Sequence, residues 1–187
     1  MPMIRETIVT TVDEEGEVHI APLGLIGKGQ GWIIAPFRPS KTLDNLRAVP
    51  HAVASHVDDV RVFAGCLTGR RDWPTVATEG PVPRVAAAIA HWELAVERVE
   101  DHPERPRFHT RVAKAVSHAP FCGFNRAQAA VIELAILTSR LDRLPREKVF
   151  QEIDYLRIGI EKTAGPREEE AWAWLMEKIR SFYGREP

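Results

Sequence analysis

Arg38-Pro39-Ser40-Lys41-Thr42-Leu43-Asp44-Asn45-Leu46 follows a short apolar run, Trp32–Ala35, and leads to a stop at Pro50. The apolar run reads as a strand leaving a sheet. Two prolines, Pro36 and Pro39, stiffen the approach, and Ser40 stands as the N-cap of a helix predicted over about Lys41–Val49. The first backbone N–H groups of such a helix have no helical acceptor. With Arg38 just before them, Ser40, Lys41 and Thr42 add two hydroxyls and an ammonium at the positive end of the helix dipole. That combination suits the anion of a phosphate monoester. The plainer account is capping by Ser40 or Thr42 with Lys41 in solvent, and this stretch alone leaves both open.

Upstream, Ile4–Val12 alternates and is rich in β-branched residues, and Asp13-Glu14-Glu15-Gly16 supplies a turn. Glu17–Ile26 makes a second strand, interrupted by Pro22 and Gly24. Proline cannot donate to a ladder, so this strand is expected at an edge, bulged or left open there. Backbone groups freed along Ala21-Pro22-Leu23-Gly24 suit a flat heteroaromatic ligand, although an edge bulge accounts for the same residues. Gly27–Gly31 is a hairpin loop. It is no phosphate loop, because Pro22 stands where the first glycine of that motif belongs and Gly29 replaces its Ser or Thr.

Downstream, Ala52–Val57 and Arg61–Cys66 read as two short strands hinged at Asp58-Asp59, and residues 67–84 read as a long loop. Alternation predicts two more strands, over 91–100 and 108–117. The last third is helical. Asn125 with Gln128 resembles a capping box ahead of an apolar helix, Ala127–Leu141. Pro145 opens a second helix to about Thr163, and Gly165-Pro166 closes it. Acids at 168–170 suit the start of a third, with Trp172, Leu175, Ile179 and Phe182 as its packing face.

At 187 residues the chain fits one domain with a helical extension: a barrel over 1–120 and a helical part over 121–187. Net charge is −1, so neither part has the basic surplus of a nucleic-acid binder. Arg5 and Glu6 interrupt any apolar leader, and no run approaches the ~20 apolar residues of a membrane span, which predicts a cytoplasmic protein. Cys66 and Cys122 match no metal or redox spacing, the seven histidines form no HExxH, and no nucleophile elbow occurs. No metal site is expected.

Taken together, ETIVTT (6–11), APLG (21–24) and RPSKTLDNL (38–46) resemble the flavin-binding split-barrel proteins. GFNRAQAAVIE (123–133) and EKTAGPREEEAW (161–172) are similar to one branch of them, a family of unknown function found in methanogens and methylotrophs. The resemblance covers nearly the whole chain. It implies an α+β fold, an antiparallel six-stranded split β-barrel followed by a C-terminal helical part, forming a homodimer with FMN at the interface. Carried over, Ala21, Pro22, Leu23 and Gly24 run beside the isoalloxazine ring, and Arg38, Ser40, Lys41 and Thr42 hold the phosphate. Thr10 or Thr11 also reaches the flavin, and Asn125 and Arg126, the branch's own mark, contact flavin or substrate.

The activity implied is that of an FMN-dependent oxidoreductase acting on an unidentified small molecule. The alternative is a carrier or sensor of flavin or a related ring, linked to one-carbon metabolism. Other split barrels hold a deazaflavin, pyridoxal phosphate or haem, so the fold alone does not select the ligand. No residue declares itself as a proton donor. His19, His91 and Glu133 are candidates only by their place near the site elements.

Overall fold

The computed structural model describes residues 2–184, which divide into two compact units. The first, residues 1–57 and 73–120, is a closed antiparallel barrel. Its strands are β1 (Ile4–Val12), β2 (Val18–Lys28), β3 (Gly31–Ile34), β4 (His51–Val57), β7 (Ala88–Glu100) and β8 (Arg107–Ser117), in the order β1-β2-β3-β8-β7-β4. Two residues join β2 to β3, and Gly29 takes the positive φ of 60° that the tight turn needs. The long 67–84 segment is not all loop: β5 (Thr75–Val76) and β6 (Arg84–Val85) form a small ladder within it.

Alternation sorts each strand into two faces. Val9, Leu25, Ile34, Ala52, Ala54, Leu94 and Phe108 pack together inside. Helix α1 (Lys41–Ala48) adds Leu43 and Leu46 to that cluster, each contributing roughly 1.5–3 kcal/mol by burial. Asn45, also buried, donates its Nδ2 to Thr11 Oγ1 at 3.1 Å and fastens the helix to β1. The opposite face of β1 carries Ile8, Thr10 and Val12, and Val12 packs there with Val53 and Val82.

The second unit, residues 58–72 and 121–184, is helical. It comprises α2 (Arg61–Leu67), α3 (Arg126–Thr138), α4 (Arg146–Thr163) and α5 (Pro166–Tyr183). Its core gathers Val60, Ala64, Val131, Leu134, Val149, Ile153, Ala171, Leu175 and Ile179. The strand predicted over Arg61–Cys66 is thus a helix. Val62, Phe63, Ala64, Gly65 and Cys66 are all buried, and a short apolar run hidden on every side has no period to separate strand from helix. Asp58-Asp59 is no hinge, since Asp59 Oδ1 accepts the backbone N–H of Arg61 at 3.1 Å and starts the helix. Phe182 is 52% exposed, and Ala171 and Met176 complete the inner face of α5 in its place.

Candidate functional site

Strand β2 runs unbroken through Pro22 and Gly24. All of it pairs with β1, Ile8 facing Pro22 and Glu6 facing Gly24, whereas its ladder to β3 covers only Ile26, Gly27 and Lys28. The other edge of Val18–Leu25 therefore pairs with no strand among the described residues, and this is where a proline is tolerated. Ala21, Pro22, Leu23 and Gly24 are half-buried along that edge. Thr7 Oγ1 donates to Leu23 O at 3.0 Å. Thr10 and Thr11 are both buried but face opposite ways: Thr11 engages Asn45, and the Thr10 hydroxyl has no hydrogen-bond partner. Asn45 Oδ1 also lacks one.

At the start of α1, Ser40 is extended (φ −160°, ψ 147°) and its Oγ accepts the Leu43 N–H at 3.3 Å. The cap predicted from sequence is present, and the amides of Lys41 and Thr42 keep no helical acceptor. Thr42 is buried, and the peptide preceding Pro39 is cis. Two cations flank the turn. Lys41 Nζ donates to Asp13 Oδ2 at 2.8 Å, and Arg38 Nη2 to Asp101 Oδ1 at 2.6 Å, with Arg38 Nε also reaching His102 O at 3.3 Å. The hydrogen bond between them pushes Lys41 up and Asp13 down from their usual values. Amides, a hydroxyl and two exposed cations form a donor set that fits a terminal phosphate.

Asn125 and Arg126 lie in the helical unit. Asn125 Oδ1 accepts the N–H of Ala127 at 2.7 Å and of Gln128 at 3.3 Å, while its Nδ2 donates to Thr163 O at 3.0 Å. Only half of the expected capping box forms, because the Gln128 side chain turns to Glu168 Oε1 at 3.2 Å instead. At the start of α5 a single bond of this kind forms, the Gly165 N–H donating to Glu168 Oε2 at 3.0 Å. Arg126 is exposed and has no carboxylate partner among the described residues. Glu133 is exposed on α3, and His19 sits opposite Thr11 on β2. Burial pushes the Cys66 thiol up to about 11, which leaves it unreactive near neutrality.

Sequence reasoning missed two groups on the barrel. Trp32 and Trp92 stack inside it with ring centres 5.0 Å apart, and His56 meets Trp92 edge-on at 4.3 Å. Outside, His91 Nδ1 lies 2.8 Å from His118 Nε2. His91 stands opposite Val116, so its contact with His118 follows from the β7–β8 register, which no local pattern reveals. Among the described residues no three His, Cys, Asp or Glu side chains converge as metal ligands, and no helix is long and apolar enough to cross a membrane.

The element order and strand connections define an antiparallel six-stranded barrel of the split-barrel class, followed by a C-terminal helical part. The chain belongs to the protein family of unknown function DUF447: the model of its N-terminal domain matches residues 5–119, and the C-terminal model residues 125–177. Among solved structures, the FMN-bound DUF447 protein MM1853 from Methanosarcina mazei superposes with a TM-score of 0.81 at 20% identity, over 95% of this chain and 96% of that one. An FMN-binding protein from Thermus thermophilus with bound 1-cyclohex-2-enone gives 0.53 at 17% identity, over 63% and 72% of the two chains. The NADH:FAD oxidoreductase SgcE6 of Streptomyces globisporus C-1027 gives 0.51 at 19% identity, over 60% and 74%. No curated protein matches the sequence.

Proposed function

We propose that this chain binds FMN and works as a flavin-dependent oxidoreductase on a small molecule. The observation that carries the reading is the donor set at the start of α1, where the Ser40 cap and the first helical amides stand next to the Arg38 and Lys41 cations. It is supported by the family membership and by the FMN-bound relative from a methanogen. When bound, the flavin supplies the hydride and electron chemistry, and the protein's part is to bind and tune it. Arg38, Ser40, Lys41 and Thr42 hold the phosphate. To do so, Lys41 and Arg38 exchange the Asp13 and Asp101 carboxylates for phosphate oxygens.

The open edge at Ala21–Gly24 offers backbone hydrogen bonds to the ring, and the unpartnered Thr10 hydroxyl is a donor held ready on the neighbouring strand. Arg126 is kept as a contact for an anionic group, while Asn125 sets the helix start behind it. A second copy of the chain covers the open β2 edge in a homodimer, since an unpaired strand edge invites pairing.

Purified protein is expected to be yellow and to release FMN on denaturation. A colourless protein that fails to quench added FMN fluorescence overturns the reading. Anaerobic bleaching of the bound flavin by NADH or NADPH separates an enzyme from a carrier, and sedimentation tests the dimer.

A further inference from the structure

A cleft of about 410 Å³ opens on the outer face of β7 and β8, beneath the segment that carries β5 and β6. Arg84, His91, Glu93, Lys114 and His118 line it, with Glu79 at its rim. All lie within the barrel unit, and none belongs to the α1 donor set.

The charges here are unevenly matched. Lys114 is paired with Glu79, and Glu93 Oε2 accepts the Gly80 N–H at 2.9 Å. Arg84 uses only Nη1, on the carbonyls of Val85 and Ala86 at 3.1 Å each, and has no carboxylate partner among the described residues. A half-buried guanidinium without a counter-anion has a planar, two-pronged edge that a carboxylate matches.

Beside it, His91 is only 4% exposed, yet its Nε2 makes no hydrogen bond; the nearest carboxylate oxygen, Glu93 Oε1, is 3.6 Å away. Its Nδ1 is engaged with His118 Nε2, which sits at the surface. One hydrogen bridges those two nitrogens, so the neutral pair can accept one further proton and then carries a single charge.

We propose that this cleft binds a small organic carboxylate, held by Arg84, and that the His91–His118 pair takes up one proton from solvent as it binds. The ligand stays an anion throughout, and no bond of it is broken. Arg84 on β6, Lys114 on β8 and His56 on β4 oppose charge on the pair, while Glu93 on β7 and Glu79 favour it; an added anion tips that balance toward the protonated pair. Because neither Arg84 nor the pair touches the start of α1, the proposal stands or falls apart from flavin binding.

The test is calorimetric titration of the full chain with benzoate at about pH 5.5 and about pH 7.5, on either side of the usual imidazole value. Each is run in two buffers of different ionisation heat, to count protons. Uptake of one proton is expected, with affinity rising by up to about tenfold per pH unit on acidification. Arg84→Gln is expected to lose about tenfold or more in affinity, and Arg84→Lys to lose part of it. His118→Asn is expected to bind without proton uptake. Absence of benzoate binding, or unchanged affinity in both folded Arg84 variants, overturns the site. Pure inorganic-phosphate binding overturns the carboxylate assignment. Binding with no proton taken up overturns the role of the pair.

Discussion

Replacing Asn125 by alanine separates a structural asparagine from a ligand contact. Its Oδ1 satisfies two amides at the start of α3, at 2.7 and 3.3 Å. Loss of such a cap costs about 1 kcal/mol, toward the low side here because Thr163 Oγ1 also accepts the Ala127 N–H, at 3.0 Å. Its Nδ2 is the donor to Thr163 O at the end of α4, and losing that bond costs roughly another 1 kcal/mol. The expected total of about 2 kcal/mol lowers the melting temperature by roughly 8–16 °C in a unit of this size. Asn125→Asp keeps the acceptor, gains from the helix dipole and loses the donor, so it should fall between the two. Melts followed by far-ultraviolet circular dichroism read the stability, and FMN fluorescence titration below both melting points reads the site. An alanine variant that melts like the parent yet binds FMN about tenfold more weakly would refute the reasoning and make Asn125 a flavin contact.

Three further outcomes are expected. Lys41→Ala should weaken FMN by about tenfold or more while hardly changing riboflavin, which lacks the phosphate, and an equal loss for both removes Lys41 from the phosphate site. His56, His91 and His118 are held below the usual imidazole value of 6.5, burial being the first cause for each. The unfolded chain therefore binds more protons than the fold, and stability present above about pH 6.5 should be lost on acidification; a flat melting profile between about pH 7 and 5 contradicts this. Gly31→Ala places a methyl 2.3 Å from Thr110 O, a backbone atom that cannot yield, and should cost about 3 kcal/mol in chemical denaturation, whereas Gly24→Ala meets only side-chain ends of Ile4 and Glu6 and should cost far less.

Much of the barrel was legible because its cues are local. The alternation of Ile4–Val12, the hairpin closed by Gly29, and Ser40 ahead of α1 each report on a handful of neighbouring residues. The same locality explains the failures. Arg61–Cys66 is a short apolar run without a period of its own, and only the helices it packs with, α3 and α5, reveal that it is a helix. Gln128 has the right spacing for a box with Asn125, yet Glu168, forty residues on, is the better partner. At the site, the residue types around Ser40 were readable, but the Asp13 and Asp101 carboxylates that hold Lys41 and Arg38 come from distant turns. The His91–His118 contact depends on a register that spans 27 residues.

Helix α2 has an unusual history during synthesis. Its place in the chain falls between barrel strands, yet Val60 and Ala64 find their neighbours in helices made last, Leu175 and Ile179 among them. On the ribosome the final barrel strand is complete when Ser117 emerges, and α5 ends about 65 residues later. At roughly 5–20 residues per second, that leaves several seconds in which α2 has nothing to cover its apolar side. A nascent chain whose barrel has formed before α5 emerges therefore displays this apolar side, a mark of the kind a chaperone recognises. A product truncated after Pro120 would wear that mark permanently.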